Sequence, residues 1–495
     1  MAFSIAKTMF QLAKGSVADS GLLASWPIST SWEPERAGWP ASNVREIGPE
    51  TPRPDAVRPQ SKLALLIVLI LTVGAAVLGE RVVSREASPG RVTVVYWEKW
   101  TGQEGEEMRK VVDAFNRSQD RIFVKYLSIS GVDQKTILAS GGGNPPDVAG
   151  IWQEQVFQFA DLGALTDLTA MANAAGLTRD YYIPAYYDAL SEGETLWALP
   201  STPASIGLHV RPDLVPSEVA TPETFPETIE ELDALNDRIS KQNADGSLVM
   251  AGFLPSNPGW WHWGWGPLFG ADLFKGGNPT LNGPETVRAF EWIARYSKKF
   301  GPQAVQNFQS GFGNFASPQD PFMTGKVATE INGVWKANYI RVYQPDLKWF
   351  AVPMPYPKDR PDLKGHSLLS QDVLVIPRGA KRAKEAFEFI AFVQRQDVME
   401  GLCSAHGKNS PLNEVSEAFF ENHPNKAIRL FDQLARSPNA IYPSRSGFFP
   451  RVSGELANAF QEVNTGLKTP KQALDDAQAR IDGLWKTYRE QVARS

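Results

Sequence analysis

The stretch from Arg91 to Trp152 alternates between two hydrophobic periodicities, and this alternation constrains the fold of the chain strongly. It begins with the strand-like run RVTVVYW and continues through an amphipathic segment ending in FNRSQD. It then resumes as RIFVKYL and ends with SGGGNPPDVAGIW. The order predicts strand, helix, strand, helix, strand, as in an open α/β sheet. Ligands of such sheets bind outside the carboxyl ends of the strands, where this sequence places aromatic and acidic residues.

Four further stretches carry apolar residues at helical spacing and are predicted to pack as helices on the core. Their apolar stripes are Met108, Val111, Val112 and Phe115; Val287, Phe290 and Ile293 after Pro284; Ala383, Phe387, Ile390 and Val393 after a strand at 373–376; and Leu474, Ala477, Ile481 and Leu484 after Thr469 and Pro470. We assign these stripes to packing and not to chemistry.

An uncharged run precedes this globular part. Leu63–Gly79 holds 17 residues without a charge. At about 1.5 Å per residue such a run spans roughly 25 Å, slightly less than a hydrocarbon core of about 30 Å. Basic residues lie upstream of it, so the chain after Gly79 is predicted to be exported. Residues 62–80 are either a transmembrane helix or a signal segment cleaved before Glu80, and the sequence leaves both alternatives open.

The regions on either side of this run show no apolar periodicity. Residues 1–61 are rich in Pro, Ser and isolated Trp and are predicted to be a disordered cytoplasmic tail, unless they belong to an upstream start that is not used. Residues 81–90 are predicted to be a linker. Glu80 stands where a lipoprotein carries its lipid-accepting cysteine, so a lipid anchor is not expected.

Composition and motifs exclude several classes of function. The net charge is −5 and basic clusters are missing after residue 90, which argues against nucleic acid as a partner. Cys403 is the only cysteine, so there is no disulfide framework. No G-x-S-x-G, H-E-x-x-H or Walker motif occurs, and no glycosidase-like pair of carboxylates can be recognised. The five histidines are scattered. We therefore predict no enzyme, no metal site and no cofactor.

Several segments in a fixed order resemble a known family. They include VTVVYWEKWTGQEGEEMRKVVDAFNRSQ, ILASGGGNPPDVAGIW, ETLWALPSTPASIGLHV, FMTGKVATEINGVWKANY and TPKQALDDAQARIDGLW. From Val92 onward the chain resembles the extracellular solute-binding proteins of bacterial ABC importers, in particular the sugar-binding group that includes maltose-binding protein. It departs from many members at Phe225, where they place Trp.

The resemblance implies a fold of two α/β lobes joined by a hinge, with the ligand in a cleft between them. Lobe one would comprise residues 91–200 and 371–412, and lobe two residues 201–370 and 413–495. The implied function is to capture a carbohydrate and deliver it to the permease subunits, as a monomer. Alternatives are a membrane-tethered sugar sensor, or a binding protein for another solute such as a glycerol phosphodiester or a polyamine.

Sugars offer hydroxyl groups at their edges and C–H groups on their faces, so a suitable cleft combines polar side chains with aromatic rings. The chain holds fifteen tryptophans, and several of them stand beside Gly, Pro or charged residues. Trp97, Glu98 and Trp100 follow the first strand, and a core is expected to exclude Glu98. Trp152 and Gln155 follow the PPDV strand and could equally be structural.

Other candidates lie in the second half of the chain. NPGWWHWGWG contains four tryptophans that cannot all face one core, and we select Trp261 and Trp263 as ligand contacts. Trp335 and Asn332, in EINGVW, match the family segment whose Trp stacks on sugar. The remaining candidates are Gln371 and Asp372, beside the second predicted hinge, and Arg445, the one arginine suited to an anionic ligand.

Overall fold

A mixed sheet of eight strands runs through residues 90–492, the part of the chain that the computed structural model describes. The described residues form twelve strands, eight of which belong to this sheet: β1 (Val92–Glu98), β2 (Ile122–Ser128), β3 (Val148–Trp152), β4 (Ser191–Glu192), β5 (Thr195–Leu196), β6 (Leu199–Val210), β7 (Lys241–Gln242), β8 (Leu248–Met250), β9 (Thr329–Gly333), β10 (Phe350–Val352), β11 (Ser367–Val375) and β12 (Ala440–Ile441). The sheet order is β10-β6-β11-β3-β1-β2, with β9 beside β6 and β12 beside β11, while β4 with β5 and β7 with β8 form separate pairs.

Sixteen α-helices accompany these strands within residues 90–492. They are α1 (Gly102–Ser118), α2 (Val132–Gly141), α3 (Val156–Asp161), α4 (Thr169–Ala174), α5 (Pro184–Asp188), α6 (Ile229–Ile239), α7 (Trp265–Leu268), α8 (Pro284–Phe300), α9 (Pro302–Ser310), α10 (Lys336–Tyr343), α11 (Ala383–Val393), α12 (Gln396–Ala405), α13 (Glu417–Asn422), α14 (Ile428–Ala435), α15 (Phe449–Asn464) and α16 (Pro470–Val492). Short 3-10 turns connect several of them.

The predicted order of strand, helix, strand, helix, strand is confirmed from β1 to β3. β1 pairs in parallel with β2 and β3, so the carboxyl ends of these strands lie at one edge of the sheet. α1 buries Met108, Val112 and Phe115 of the predicted stripe. The other three predicted helices are α8, α11 and α16, which begin at Pro284, Ala383 and Pro470. Hydrophobic spacing identified these helices because each packs one face on a core, although Leu484 of the last predicted stripe is 38% exposed.

Two long antiparallel strands connect the halves of the sheet. The first part of β6 pairs with β11, and its last five residues, Ile206–Val210, pair with β9. β11 also pairs with β3, and the pairing of β11 with β6 shifts register between Asp372 and Val373. Every residue of β6 is buried, as expected for a strand covered on both faces. β6 and β11 are therefore common to both halves.

Hydrophobic side chains form two main cores within the compact unit that begins at Val92. One core gathers mainly residues 94–199 and 373–434, and the other mainly residues 206–368 and 448–481. Phe419 and Leu434 belong to the first core, although the sequence placed residues from 413 onward in lobe two. This packing favours a boundary beyond Leu434, and the limits of the lobes stay a prediction.

The predicted tail at 1–61 and the segment at 62–80 lie outside the described residues, as does nearly all of the linker at 81–90. Within residues 90–492, no helix combines the length and the apolar character needed to cross a membrane.

A close contact between Glu98 and Gly150 joins β1 to β3. Glu98 is 0% exposed, and its carboxyl accepts hydrogen bonds from the Tyr96 hydroxyl and, at 2.7 Å, from the Lys99 backbone N–H. The expectation that a core would exclude Glu98 is therefore wrong, because partners within the protein replace its water. A Cβ atom at position 150 would lie 2.0 Å from Oε2 of Glu98. Only glycine fits there.

We expect Gly150→Ala to destabilise the protein by about 1–3 kcal/mol, since the added methyl group must displace a carboxyl that is hydrogen-bonded on both sides. Gly401→Ala is the matched control, because Gly401 lies in α12 and a Cβ there meets nothing within 4 Å. The control should be neutral or slightly stabilising. Denaturant unfolding measures both variants, and equal stability of the two would contradict the steric argument.

Candidate functional site

A buried ion cluster lies at the carboxyl ends of β1 and β3. The ammonium group of Lys99 is 3.0 Å from Oδ1 of Asp372, and that of Lys408 is 2.7 Å from Oδ2 of the same carboxyl. Lys99 directly follows β1, Asp372 lies in β11 at its register shift, and Lys408 follows α12. The lysine side chains are only 6% and 5% exposed. Three distant segments thus converge on one carboxyl, which we call the Lys–Asp–Lys cluster.

The ammonium groups of this cluster have further acceptors. Lys99 also lies 3.3 Å from both Oε1 of Glu98 and the carbonyl oxygen of Ile151. Lys408 donates to the hydroxyl of Thr202 at 3.0 Å, and that hydroxyl lies 3.1 Å from Asp372. These hydrogen bonds stabilise the buried ammonium groups, because a charge removed from water is far less stable unpaired than paired.

Ionisation in the cluster is set by competition between burial and charge. Burial by itself would raise the pKa of Asp372, but Lys408 and Lys99 outweigh it and hold this pKa well below its usual range. Burial would likewise lower the pKa of each lysine, and Asp372 raises it instead. All three groups are therefore charged at neutral pH.

Three indole rings surround the cluster. The ammonium group of Lys99 lies 4.9 Å from the ring centroid of Trp100 and 5.4 Å from that of Trp152. The ammonium group of Lys408 lies 5.6 Å from the centroid of Trp100 and 5.8 Å from that of Trp335. These distances are within the range of cation–π attraction. Trp152 is 45% exposed, which leaves much of its ring available to a ligand.

An aromatic face continues from Trp335 into the other half of the molecule. The Trp335 ring centroid lies 6.4 Å from that of Trp260 and 5.8 Å from that of Trp261. Phe315 bridges Trp260 and Tyr339, at 4.4 and 5.2 Å. All five rings are partly exposed. Trp261 has φ 51°, a left-handed conformation that costs free energy for a residue other than glycine, so the surrounding structure holds this ring in place.

Two more carboxyl groups interact electrostatically with the cluster. Burial raises the pKa of Glu104, although Lys408 opposes the shift. Burial also raises the pKa of Glu154, which accepts a hydrogen bond of 2.8 Å from Ser370. The surroundings thus combine flat apolar surfaces with acidic groups. No group of three or more His, Cys, Asp or Glu side chains in residues 90–492 is arranged to hold a metal ion.

The structure brings several predicted residues together and adds others. The cluster contains Asp372 and is contacted by the rings of Trp100, Trp152 and Trp335. Glu98 contacts Lys99, and Trp261 lies beside Trp335. The sequence did not single out Lys99, Lys408, Glu104, Trp260 or Tyr339. Lys99 carried a signal, since it stands between Glu98 and Trp100 at a strand end. Lys408 lies in a loop that nothing local connects to that strand.

Other predicted residues lie in different surroundings. Trp97 packs partly buried against the first core, while Gln155 donates to Asp133 at 2.6 Å. Gln371 is 1% exposed and donates to the carbonyl oxygen of Tyr186 at 2.8 Å. Gln155 and Gln371 each donate one hydrogen bond inside the fold, but their buried side-chain oxygen atoms have no hydrogen-bond partner among the described residues. A ligand contact by Trp97, Gln155 or Gln371 stays a prediction.

The remaining predicted residues belong to the second half of the chain. Asn332 is 0% exposed and donates to Glu330 at 2.8 Å. Trp263 is buried against Phe449, with ring centroids 5.3 Å apart. Arg445 is exposed and lies 3.4 Å from backbone carbonyl oxygens of the first half. Their contacts do not include the Lys–Asp–Lys cluster, and their binding roles stay predictions.

We expect His406 to make the stability of the site depend on pH. Its ring packs edge-on against Trp100, and burial, helped by Lys408, lowers its pKa to about 3. In the unfolded chain the imidazole of His406 binds a proton near pH 6.5, whereas in the folded chain it stays neutral at that pH. The free energy of unfolding therefore falls as pH falls below about 6.5. His406→Gln should flatten the dependence of unfolding free energy on pH between 6 and 5 by about 1 kcal/mol per pH unit. An unchanged slope would contradict this assignment.

Comparisons with known proteins identify the family of this chain. A family model of bacterial extracellular solute-binding proteins matches residues 110–427. The sn-glycerol-3-phosphate-binding periplasmic protein UgpB of Pectobacterium atrosepticum is 22% identical over 427 residues, which cover 80% of this chain and 92% of the relative.

Solved structures of two-lobe periplasmic binding proteins share the fold. CpMnBP1 with mannobiose bound is 25% identical, with a TM-score of 0.69, and the match covers 79% of this chain and 100% of that one. The maltose/maltodextrin-binding domain MalE of Bdellovibrio bacteriovorus, bound to maltotriose, is 16% identical, with a TM-score of 0.63 and coverage of 80% and 100%. The chain therefore belongs to the bacterial extracellular solute-binding proteins, which bind solutes for ABC importers and are not enzymes.

Proposed function

We propose that this protein captures an uncharged carbohydrate between two lobes and delivers it, as a monomer, to the permease subunits of an ABC importer. The observation that carries the proposal is the convergence of Trp100, Trp152 and Trp335 on the Lys–Asp–Lys cluster. Indole rings cover the C–H face of a sugar, while neighbouring charged groups exchange hydrogen bonds with its hydroxyls.

The ligands of similar proteins support a carbohydrate. Two structures of CpMnBP1, at 25% identity, hold mannobiose and mannotriose. Other proteins of the same fold hold maltotriose or cycloalternan, at 16% identity. The UgpB relatives are named for sn-glycerol-3-phosphate instead, and they are about as distant, at 22% identity.

The path of the chain suggests how a ligand is enclosed. β6 and β11 run from one core to the other, so bending of these strands would move the aromatic face of Trp335 relative to Trp152. The ligand would then favour the closed form through contacts that only this form offers. We place the first lobe at residues 91–200 with 371 to about 435, and the second lobe in the remainder of the chain from 201 onward.

Within this cleft we assign different tasks to the candidate residues. Trp152, Trp335 and Trp261 would stack on sugar rings. Glu104 and Glu154 would accept hydrogen bonds from hydroxyl groups, or donate when protonated. Asp372 and Glu98 would act indirectly, by fixing the lysines and through them the rings of Trp100 and Trp152.

We expect Trp335→Ala to weaken sugar binding at least tenfold, about 1.4 kcal/mol, because the substitution removes the ring shared by the cluster and the aromatic face. Thermal unfolding of the purified full-length chain with mannobiose, mannotriose or maltotriose is the measurement. A sugar at a hundredfold its Kd adds about 2.7 kcal/mol of stability, and the variant should lose most of this gain.

Trp485→Ala is the control, since Trp485 packs on Tyr488 in α16, and Tyr488 and Phe448 are the rings around it. The control should keep the full stabilisation by sugar. A wild-type chain that responds to none of these sugars contradicts the proposed function, whereas an unaltered response in Trp335→Ala contradicts only the assignment of this ring.

We further propose that the segment at 62–80, which contains the uncharged run Leu63–Gly79, stays attached and tethers the protein to the cytoplasmic membrane on the periplasmic side. The support is its length and the basic residues that precede it. Fractionation of cells expressing the full chain should find it in the membrane fraction, released by detergent and not by high salt. A soluble mature protein that begins near Glu80 would show that the segment is a cleaved signal.

A further inference from the structure

The charges around the site are balanced before any ligand arrives. Lys99 and Lys408 are the two ammonium groups that the rings of Trp100, Trp152 and Trp335 surround. Asp372 contacts both, at 3.0 and 2.7 Å, and Glu98 contacts Lys99 at 3.3 Å. Two positive groups thus face two acidic ones.

The hydrogen-bonding capacity of the lysines is also largely used. An ammonium group donates three hydrogen bonds. Lys99 has three acceptors within 3.3 Å, namely Asp372, Glu98 and the carbonyl oxygen of Ile151. Lys408 has Asp372 and Thr202. An anionic group that approached either lysine would compete with the carboxylate of Asp372 and would also meet Glu104 and Glu154, the other acidic groups near the cluster.

We propose that Asp372 makes the site selective for uncharged ligands by engaging the two lysines that would otherwise bind a phosphoryl group. The inference rests on the proposed function and narrows its ligand class. Without the carboxylate, two ammonium groups beside indole rings would lack a shared acceptor, and ammonium groups in such a position can bind the oxygens of a phosphoryl group. With the carboxylate, a phosphoryl dianion enters a site whose net charge is zero or negative.

The consequence is that one side chain decides between charged and uncharged ligands at this site. Glycerol 3-phosphate and a neutral disaccharide both offer hydroxyls, so hydroxyl recognition alone does not distinguish them. Charge distinguishes them, because Asp372 lies against both ammonium groups and its negative charge repels a phosphoryl dianion. Asp372 is therefore a specificity-determining residue, whereas the rings supply affinity.

The test compares ligand-induced changes in thermal unfolding for four forms of the full-length chain. They are wild type, Asp372→Asn, Asp372→Asn combined with Lys408→Met, and Asp147→Asn. Asp147 is a matched control, since it too is a buried aspartate, but it bonds the backbone N–H groups of Val95 and Arg382. The probes are inorganic phosphate, sn-glycerol-3-phosphate, glycerol and mannobiose, each at equal ionic strength in chloride.

We expect phosphate and sn-glycerol-3-phosphate to stabilise Asp372→Asn alone, with affinity about 100-fold above that of wild type, as expected for a freed pair of charged donors. Glycerol should have no such effect, and removal of Lys408 in the double variant should abolish the gain. Equal phosphate stabilisation of wild type and Asp372→Asn would overturn the proposal. The proposal would also be overturned if a folded Asp372→Asn variant is stabilised by neither inorganic phosphate nor sn-glycerol-3-phosphate.

Loss of Asp372 leaves the ammonium groups of Lys99 and Lys408 in a buried site with Glu98, beside Lys99, as the remaining carboxylate in contact, so the variant could unfold in chloride buffer. Circular dichroism with and without phosphate then decides, since recovery of the fold by phosphate supports the proposal and absence of recovery overturns it. Mannobiose tests the proposed function separately. If mannobiose and other sugars leave the thermal unfolding of the wild-type chain unchanged, carbohydrate binding is contradicted. The phosphate results still report on the role of Asp372 in that case.

Discussion

The buried carboxylate of Asp372 joins the parts of this molecule on which the site depends. It lies in β11, a strand shared by both halves of the sheet, and it binds one lysine from the end of β1 and another from the loop after α12. Burying three charges costs much free energy, and only their close contacts offset the loss of water. Because each charge needs the others, the ends of three distant segments are fixed relative to one another, and so are the indole rings that lie over the lysines.

The four tryptophans between residues 260 and 265 differ in burial. Trp263 and Trp265 are buried in the second core, whereas Trp260 and Trp261, from the same short segment, join the partly exposed face around Trp335. The positive φ of Trp261 turns the backbone at the point where this division occurs. One aromatic segment thereby supplies both a core and a surface, and that surface meets the cluster at Trp335.

Hydrophobic periodicity was enough to predict the first strands and four helices, because each packs on a core along one face. Part of the site was predictable from strand ends, since Trp100 comes just after β1 and Trp152 is the last residue of β3. Asp372 was singled out because it precedes the apolar run at 373–376, and it lies inside β11. It was not predictable for Glu98, whose burial depends on Tyr96, the Lys99 backbone and a glycine in another strand. Lys408 was missed because its partner, Asp372, comes from another element, and side-chain pairing across such distances leaves no local pattern.

Spacing and the order of motifs along the chain were enough to establish the α/β class, the strand ends from β1 to β3 and the family to which the chain belongs. Contacts in the folded molecule were needed to establish which of the four clustered tryptophans are buried, which carboxyl unites the two lysines, and which candidates turn inward to partners in the fold. Those outcomes depend on contacts between residues far apart in sequence, where geometry and local charge select among side chains that composition alone treats as equivalent.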